Sequence, residues 1–148
     1  MAKKLGKRRK QKMKNQITGT WKLKEFQIES PEGKTSDWGE KVHGLLIYTD
    51  NGYMSVSINK ELINDPEQSE AENLFDSILF YSGTYQITDN VITHQVTEAS
   101  NPSRIGREMI RYAELQGTED SGSPEGNDLR LVTPQESFGR AILVWTRQ

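Results

Sequence analysis

GLLIYTDNGYMSVSI, residues Gly44–Ile58, decides how this chain is read. Leu45–Tyr48 and Tyr53–Ile58 are β-prone runs joined through Asp50-Asn51-Gly52, a strong short-range signal for a hairpin. If Asn51-Gly52 forms a two-residue turn, Thr49 lies opposite Met54 and Ile47 opposite Val56. If the turn is Asp50-Asn51, Ile47 faces Met54 and Leu45 faces Val56. Both registers put Leu45, Ile47, Met54, Val56 and Ile58 on one apolar face and Tyr48, Tyr53, Ser55 and Ser57 on the other.

A second hairpin follows at Tyr81–Val96, YSGTYQITDNVITHQV, turning at Asp89-Asn90. That turn pairs Ile87 with Ile92 and Tyr85 with His94. The isoleucines point this face inward, and Tyr81, Tyr85, His94 and Val96 share it. In Glu108–Leu115 the apolar phase is Met109, Ala113 and Leu115, and Arg111 falls in it. The interior is therefore expected to hold two phenols, an imidazole and a guanidinium among aliphatic residues. Such groups are costly to bury unless they satisfy one another or meet a ligand.

Further strands are expected at Thr20–Ile28, Phe80–Ile87, Val91–Glu98, Asp128–Val132 and Arg140–Thr146, giving eight in all. In Thr20–Ile28 the apolar phase moves from Trp21 and Leu23 to Phe26 and Ile28, as a bulge or bend requires. Asp65-Pro66-Glu67 reads as a helix start, and Leu74, Phe75, Ile78 and Leu79 recur at helical spacing, predicting one short helix after the third strand with that face on the sheet. Gln116–Asn127 is a polar, mobile loop. Closely spaced antiparallel pairs of this kind make an all-β barrel or sandwich.

Charge divides the chain. Residues 1–16 carry eight of the 19 Lys/Arg and no acid, which leaves 11 bases against 21 acids in the remainder. Residues 1–16 are expected to be a disordered basic arm and residues 17–148 a single β domain. A solvated tail is the reading for residues 1–14; contact with nucleic acid or an anionic membrane is the alternative, though no aromatic side chain stands among them to stack on bases. Hydrophobic residues are only 33% of the chain, so the core must be economical or partly hollow. The absence of Cys removes disulfides and thiol chemistry and fits a reducing compartment, and no apolar run approaches the roughly 20 residues that span a bilayer. A soluble, cytoplasmic protein is expected. His43 and His94 are the only histidines and no phosphate-loop, nucleophile-elbow or dinucleotide motif appears, so no metal, cofactor or catalytic residue is assigned.

The chain also resembles a known family. Gly19-Thr20-Trp21, GLLIYTDNGYMS, FYSGTY, Val91–Val96 with His94, Asn101-Pro102 and the final LVWTR are similar to the lipocalin-like domain proteins of bacteria and fungi, over about residues 18–147. The resemblance implies an eight-stranded antiparallel up-and-down barrel of the calycin type. It implies that Trp21 is structural, packed at the closed end beneath an Arg from late in the chain, either Arg140 or Arg147. It also implies a carrier, or an isomerase or cyclase. Together these give an expected binder of a small, largely apolar ligand, anionic if Arg111 meets it. Met54 and Val56 would lie along its body, with Tyr81, Tyr85, His94 and Arg111 at its polar end. The rivals are a cofactor-free isomerase or cyclase working in the barrel, and a solid-core adaptor that recognises partners through its basic tail. The oligomeric state has no signature in the sequence.

Overall fold

A computed structural model of the chain describes residues 12–61, 65–117 and 127–148. It contains nine strands: β1 (Gly19–Glu29), β2 (Thr35–Asp37), β3 (His43–Tyr48), β4 (Tyr53–Asn59), β5 (Ile78–Thr88), β6 (Val91–Ala99), β7 (Glu108–Gln116), β8 (Asp128–Val132) and β9 (Arg140–Arg147). Each of β3 to β8 pairs antiparallel with the next, and β1 pairs with both β3 and β9. Those eight strands close into a barrel, and the three-residue β2 hangs on the far end of β1. A register shift between Leu23 and Glu25 is the bulge that the changing phase of β1 anticipates. Beyond it Phe26 and Ile28 pair with Leu143 and Ala141.

The two hairpins behave differently, and loop length is the reason. Asp89-Asn90 is a two-residue turn with Asp89 in the left-handed region (φ 55°), and Ile87 faces Ile92 and Tyr85 faces His94 as the sequence predicts. The first hairpin instead closes through three residues, Asp50, Asn51 and Gly52, with Gly52 at φ 93°. The Thr49 N–H donates to the Tyr53 carbonyl at 2.8 Å, and the Tyr53 N–H donates to Thr49 Oγ1 at 2.9 Å, so these two residues face each other. Tyr48 then lies opposite Met54 and Leu46 opposite Val56. An odd loop moves the register by one residue and reverses the face of β3. Leu46 and Tyr48 are the buried residues of that strand, in place of the expected Leu45 and Ile47.

Two further expectations are corrected. Residues 12–17 are helical (α1) rather than part of a disordered arm, because Met13 and Ile17 lie one turn apart and both pack on the core. Residues 1–11 of that arm lie outside the described residues, as do 118–126 of the expected mobile loop. The inserted helix α2 is Glu70–Asp76, capped by Ser69, while Asp65 Oδ1 accepts the Glu67 N–H in a turn ahead of it. Its expected apolar face does not lie on the sheet: Leu74 and Phe75 are each 48% exposed. Asn73 is the buried residue of α2, tied to the backbone of Asp65 through both its amide oxygen and its amide nitrogen.

Antiparallel connectivity sorts the connections to two ends. One end carries the β3–β4 and β5–β6 turns, α1 and the last residues of β9. Ile17 and Trp21 seal it, both 0% exposed. The Trp21 indole N–H donates to the Ile17 carbonyl at 2.8 Å, and the Arg147 guanidinium lies 4.3 Å from the indole ring. Arg147 also donates to the carbonyls of Thr18 and Gln16, fastening α1 to β9. This settles the choice of arginine, since Arg140 pairs with Glu29 at 3.1 Å. The other end carries residues 30–42, the α2 connection, the β6–β7 link and the β8–β9 loop.

Candidate ligand cavity

A cavity of about 550 Å³ occupies the barrel's unsealed half. Phe26, Ile28 and Trp38 form one side, and Leu131, Ala141 and Leu143 come from β8 and β9. Trp38 reaches this wall because its N–H donates to the Phe26 carbonyl at 2.9 Å, and its ring stacks on Phe26 with centroids 4.6 Å apart. Val56, Leu46 and Leu79 continue the apolar surface toward Tyr81 and His94.

The polar side of the cavity comes from β5, β6 and the β6–β7 link. Asn101 Oδ1 accepts the Ser103 N–H and starts a single 3₁₀ turn, Pro102–Arg104, that carries Arg104 to the wall. The Gly106 N–H then donates to the Val96 carbonyl, and the Val96 N–H to the Arg107 carbonyl, which holds Arg107 beside β6. Arg111 pairs with Ile92, itself fully buried, so it occupies the inward phase of β7 as expected. All three arginines line the cavity, and none has a carboxylate partner among the described residues. Glu108 and Glu136 also stand on the wall.

His94 is 1% exposed and sits between two phenols. Its Nε2 is 2.6 Å from the Tyr48 hydroxyl and its Nδ1 2.7 Å from the Tyr81 hydroxyl. Burial, reinforced by the Arg111 charge, lowers its pKa from the ordinary imidazole range to about 3. Burial likewise raises the phenol of Tyr81, against the opposing pull of Arg111 and Arg104. His94 is thus a neutral ring with both nitrogens engaged.

Of the residues expected to meet a ligand, Val56, Tyr81, His94 and Arg111 line the cavity together. Met54 and Tyr85 do not; they are buried in the sealed half, where the Tyr85 hydroxyl donates to the Thr49 carbonyl at 2.7 Å. Tyr85 faces His94 across the strands, yet the imidazole bonds to Tyr48 and Tyr81 instead. A two-residue turn would put Tyr48 outside, so its place beside His94 depends on the three-residue β3–β4 loop. Arg104 and Arg107 lie between strands, where no periodicity marks a direction. Trp145 lines the cavity as well, and its indole nitrogen is the one buried side-chain polar atom without a hydrogen-bond partner among the described residues. No group of three His, Asp or Glu side chains stands together to hold a metal among those residues.

A closed antiparallel barrel with a lined hollow at one end defines a cup-shaped β-barrel protein. The chain matches the lipocalin-like domain family over residues 18–148 and belongs to that family. No protein of curated function matches it. Among solved structures, it is similar to a redesigned β-barrel at 14% identity, with a TM-score of 0.45 over 91% of this chain and 94% of that one. It is also similar to a de novo designed fluorescence-activating β-barrel at 12% identity, with a TM-score of 0.45 over 93% of this chain and 98% of that one.

Proposed function

We propose that the barrel binds a small, largely apolar ligand with an anionic end. The ligand's body lies along Phe26, Val56 and Leu143, and its charge faces Arg104, Arg107 and Arg111. The observation that carries this reading is Arg111, an inward guanidinium on the cavity wall with no carboxylate partner among the described residues. One arm of that guanidinium donates to the Ile110 carbonyl at 2.8 Å, and its remaining donors are available to an anion on the cavity side. A volume of about 550 Å³ falls in the usual range for small-molecule sites and does not suit a barrel packed solid, which counts against the adaptor. A proton-shuttling isomerase needs a base that titrates near neutrality, and a histidine lowered to about 3 with both nitrogens occupied is poorly suited to that task.

Native mass spectrometry of the protein purified from its own host should show a retained small molecule. Arg111→Leu should weaken binding of decanoate by ten- to over a hundredfold, for a lost charge-assisted hydrogen bond of roughly 1.5–3 kcal/mol, while leaving decanol little changed. Equal weakening toward both, or none, removes the anion site.

A further inference from the structure

Tyr48, His94 and Tyr81 present an inventory that does not balance internally. A neutral imidazole carries one N–H and each phenol one O–H, so three hydrogens serve the two short contacts at Nε2 and Nδ1. One hydrogen is left over, and the tautomer of His94 decides which phenol holds it.

With hydrogen on Nε2, His94 donates to Tyr48 and accepts from Tyr81. The spare hydrogen is then on Tyr48, whose side chain is 1% exposed, lies off the cavity wall, and has no hydrogen-bond partner other than His94 among the described residues. Its immediate neighbour is the Tyr85 ring, 4.9 Å away edge-on. This arrangement strands a hydroxyl hydrogen in an apolar interior, at the full cost of its desolvation. With hydrogen on Nδ1, Tyr48 donates to Nε2 and His94 donates to Tyr81. The spare hydrogen is then on Tyr81, which does line the cavity. The Tyr81 oxygen also has cationic neighbours in Arg111 and Arg104, both of which act electrostatically upon it. Donors surround that oxygen, and its own hydrogen has the hollow left to point into.

We infer that His94 is held as the Nδ1–H tautomer, that Tyr81 therefore directs its hydroxyl hydrogen into the cavity, and that the barrel selects ligands presenting a hydrogen-bond acceptor there, a carbonyl or carboxylate oxygen rather than an amine. The ligand clause rests on the reading of the cavity as a binding site; the tautomer clause does not. Tyr81 is the reading residue, and Tyr48 acts through His94 as a positioning residue.

Two measurements test this and separate it from the proposed function. In the ligand-free protein carrying ¹⁵N-labelled histidine, ring-nitrogen chemical shifts should show a protonated Nδ1 and a bare Nε2 for His94. A protonated Nε2 overturns the inference whether or not anything binds. Binding of 2-decanone, a neutral acceptor, should weaken about three- to tenfold in Tyr81→Phe, and decanoate should weaken in the same variant. Undiminished 2-decanone binding by Tyr81→Phe overturns the ligand clause. If the unaltered barrel binds neither compound, the proposed function falls and takes the ligand clause with it, and the nitrogen shifts still decide the tautomer.

Discussion

His94 concentrates most of what a single residue contributes here. It is neutral in the folded chain because burial and the nearby Arg111 charge both oppose its protonation, while Tyr48 and Tyr81 occupy its nitrogens. Its folded pKa of about 3 lies below the unfolded value near 6.5, so the unfolded chain binds a proton that the folded chain refuses. The associated stability is present above about pH 6.5 and is lost as pH falls through that window. Chemical denaturation at pH 7 and pH 5 should differ by roughly 2 kcal/mol from this residue alone. His94→Gln should remove that part of the difference, and an unaltered pH dependence in the variant would show that the histidine is not its source. The inward direction of His94 and Arg111 was legible from isoleucine and alanine neighbours at alternating positions. The partners of His94 were only half legible, since Tyr81 shares its hairpin but Tyr48 arrives from β3, whose phase is set by a three-residue loop.

That phase is decided by the length of the connections between elements. The β5–β6 turn has two residues and Asp89 accepts the left-handed geometry, so a two-residue turn pairs Gly83–Thr88 correctly with Val91–Val96, up to the bulge at Ser82. The β3–β4 loop has three, and nothing in Asp50-Asn51-Gly52 distinguishes a two-residue turn from a three-residue loop ending on a left-handed Gly52. Leu45, Leu46, Ile47 and Tyr48 are all acceptable in a core, so composition did not arbitrate either. The helix α2 departs from its expected orientation for a related reason: Leu74 and Phe75 have helical spacing, but a seven-residue element buries Asn73 and leaves them outside. The bulge in β5–β6, between Ser82 and Gly83, gives a sharper test of element geometry. A Cβ on Gly83 would stand 1.8 Å from the Gln95 carbonyl oxygen, which is backbone and has no rotamer to yield. Gly83→Ala should therefore cost about 3 kcal/mol or more in urea denaturation, at the upper end of what overpacking produces. A loss under 1 kcal/mol would mean that the bulge re-forms elsewhere.

On the scale of the molecule, the barrel is asymmetric from end to end. The eight barrel strands, their closure and the place of the inserted helix could be read from turn spacing and from the resemblance, and the low apolar content allowed for a hollow, but the outline of that hollow could not be read. Its walls include Trp38 and the β6–β7 arginines, which lie outside the strands where alternation carries no information. The sealed end depends on α1, and Ile17→Ala should lower stability by about 2–5 kcal/mol because its side chain is wholly buried against Trp21 and the core. The same substitution should leave decanoate affinity unchanged in the folded fraction, since the cavity lies at the opposite end; a parallel loss of affinity would show that the two ends are mechanically coupled. Arg147 fastens α1 to β9 at that sealed pole, and the Gln148 N–H donates to the Thr20 carbonyl beside it. A fluorescent reporter or a solid support attached through Gln148 would thus stand a full barrel length from the mouth. The fold offers itself for orientation-controlled sensing: anchored by its tail, every copy would hold its opening toward the sample.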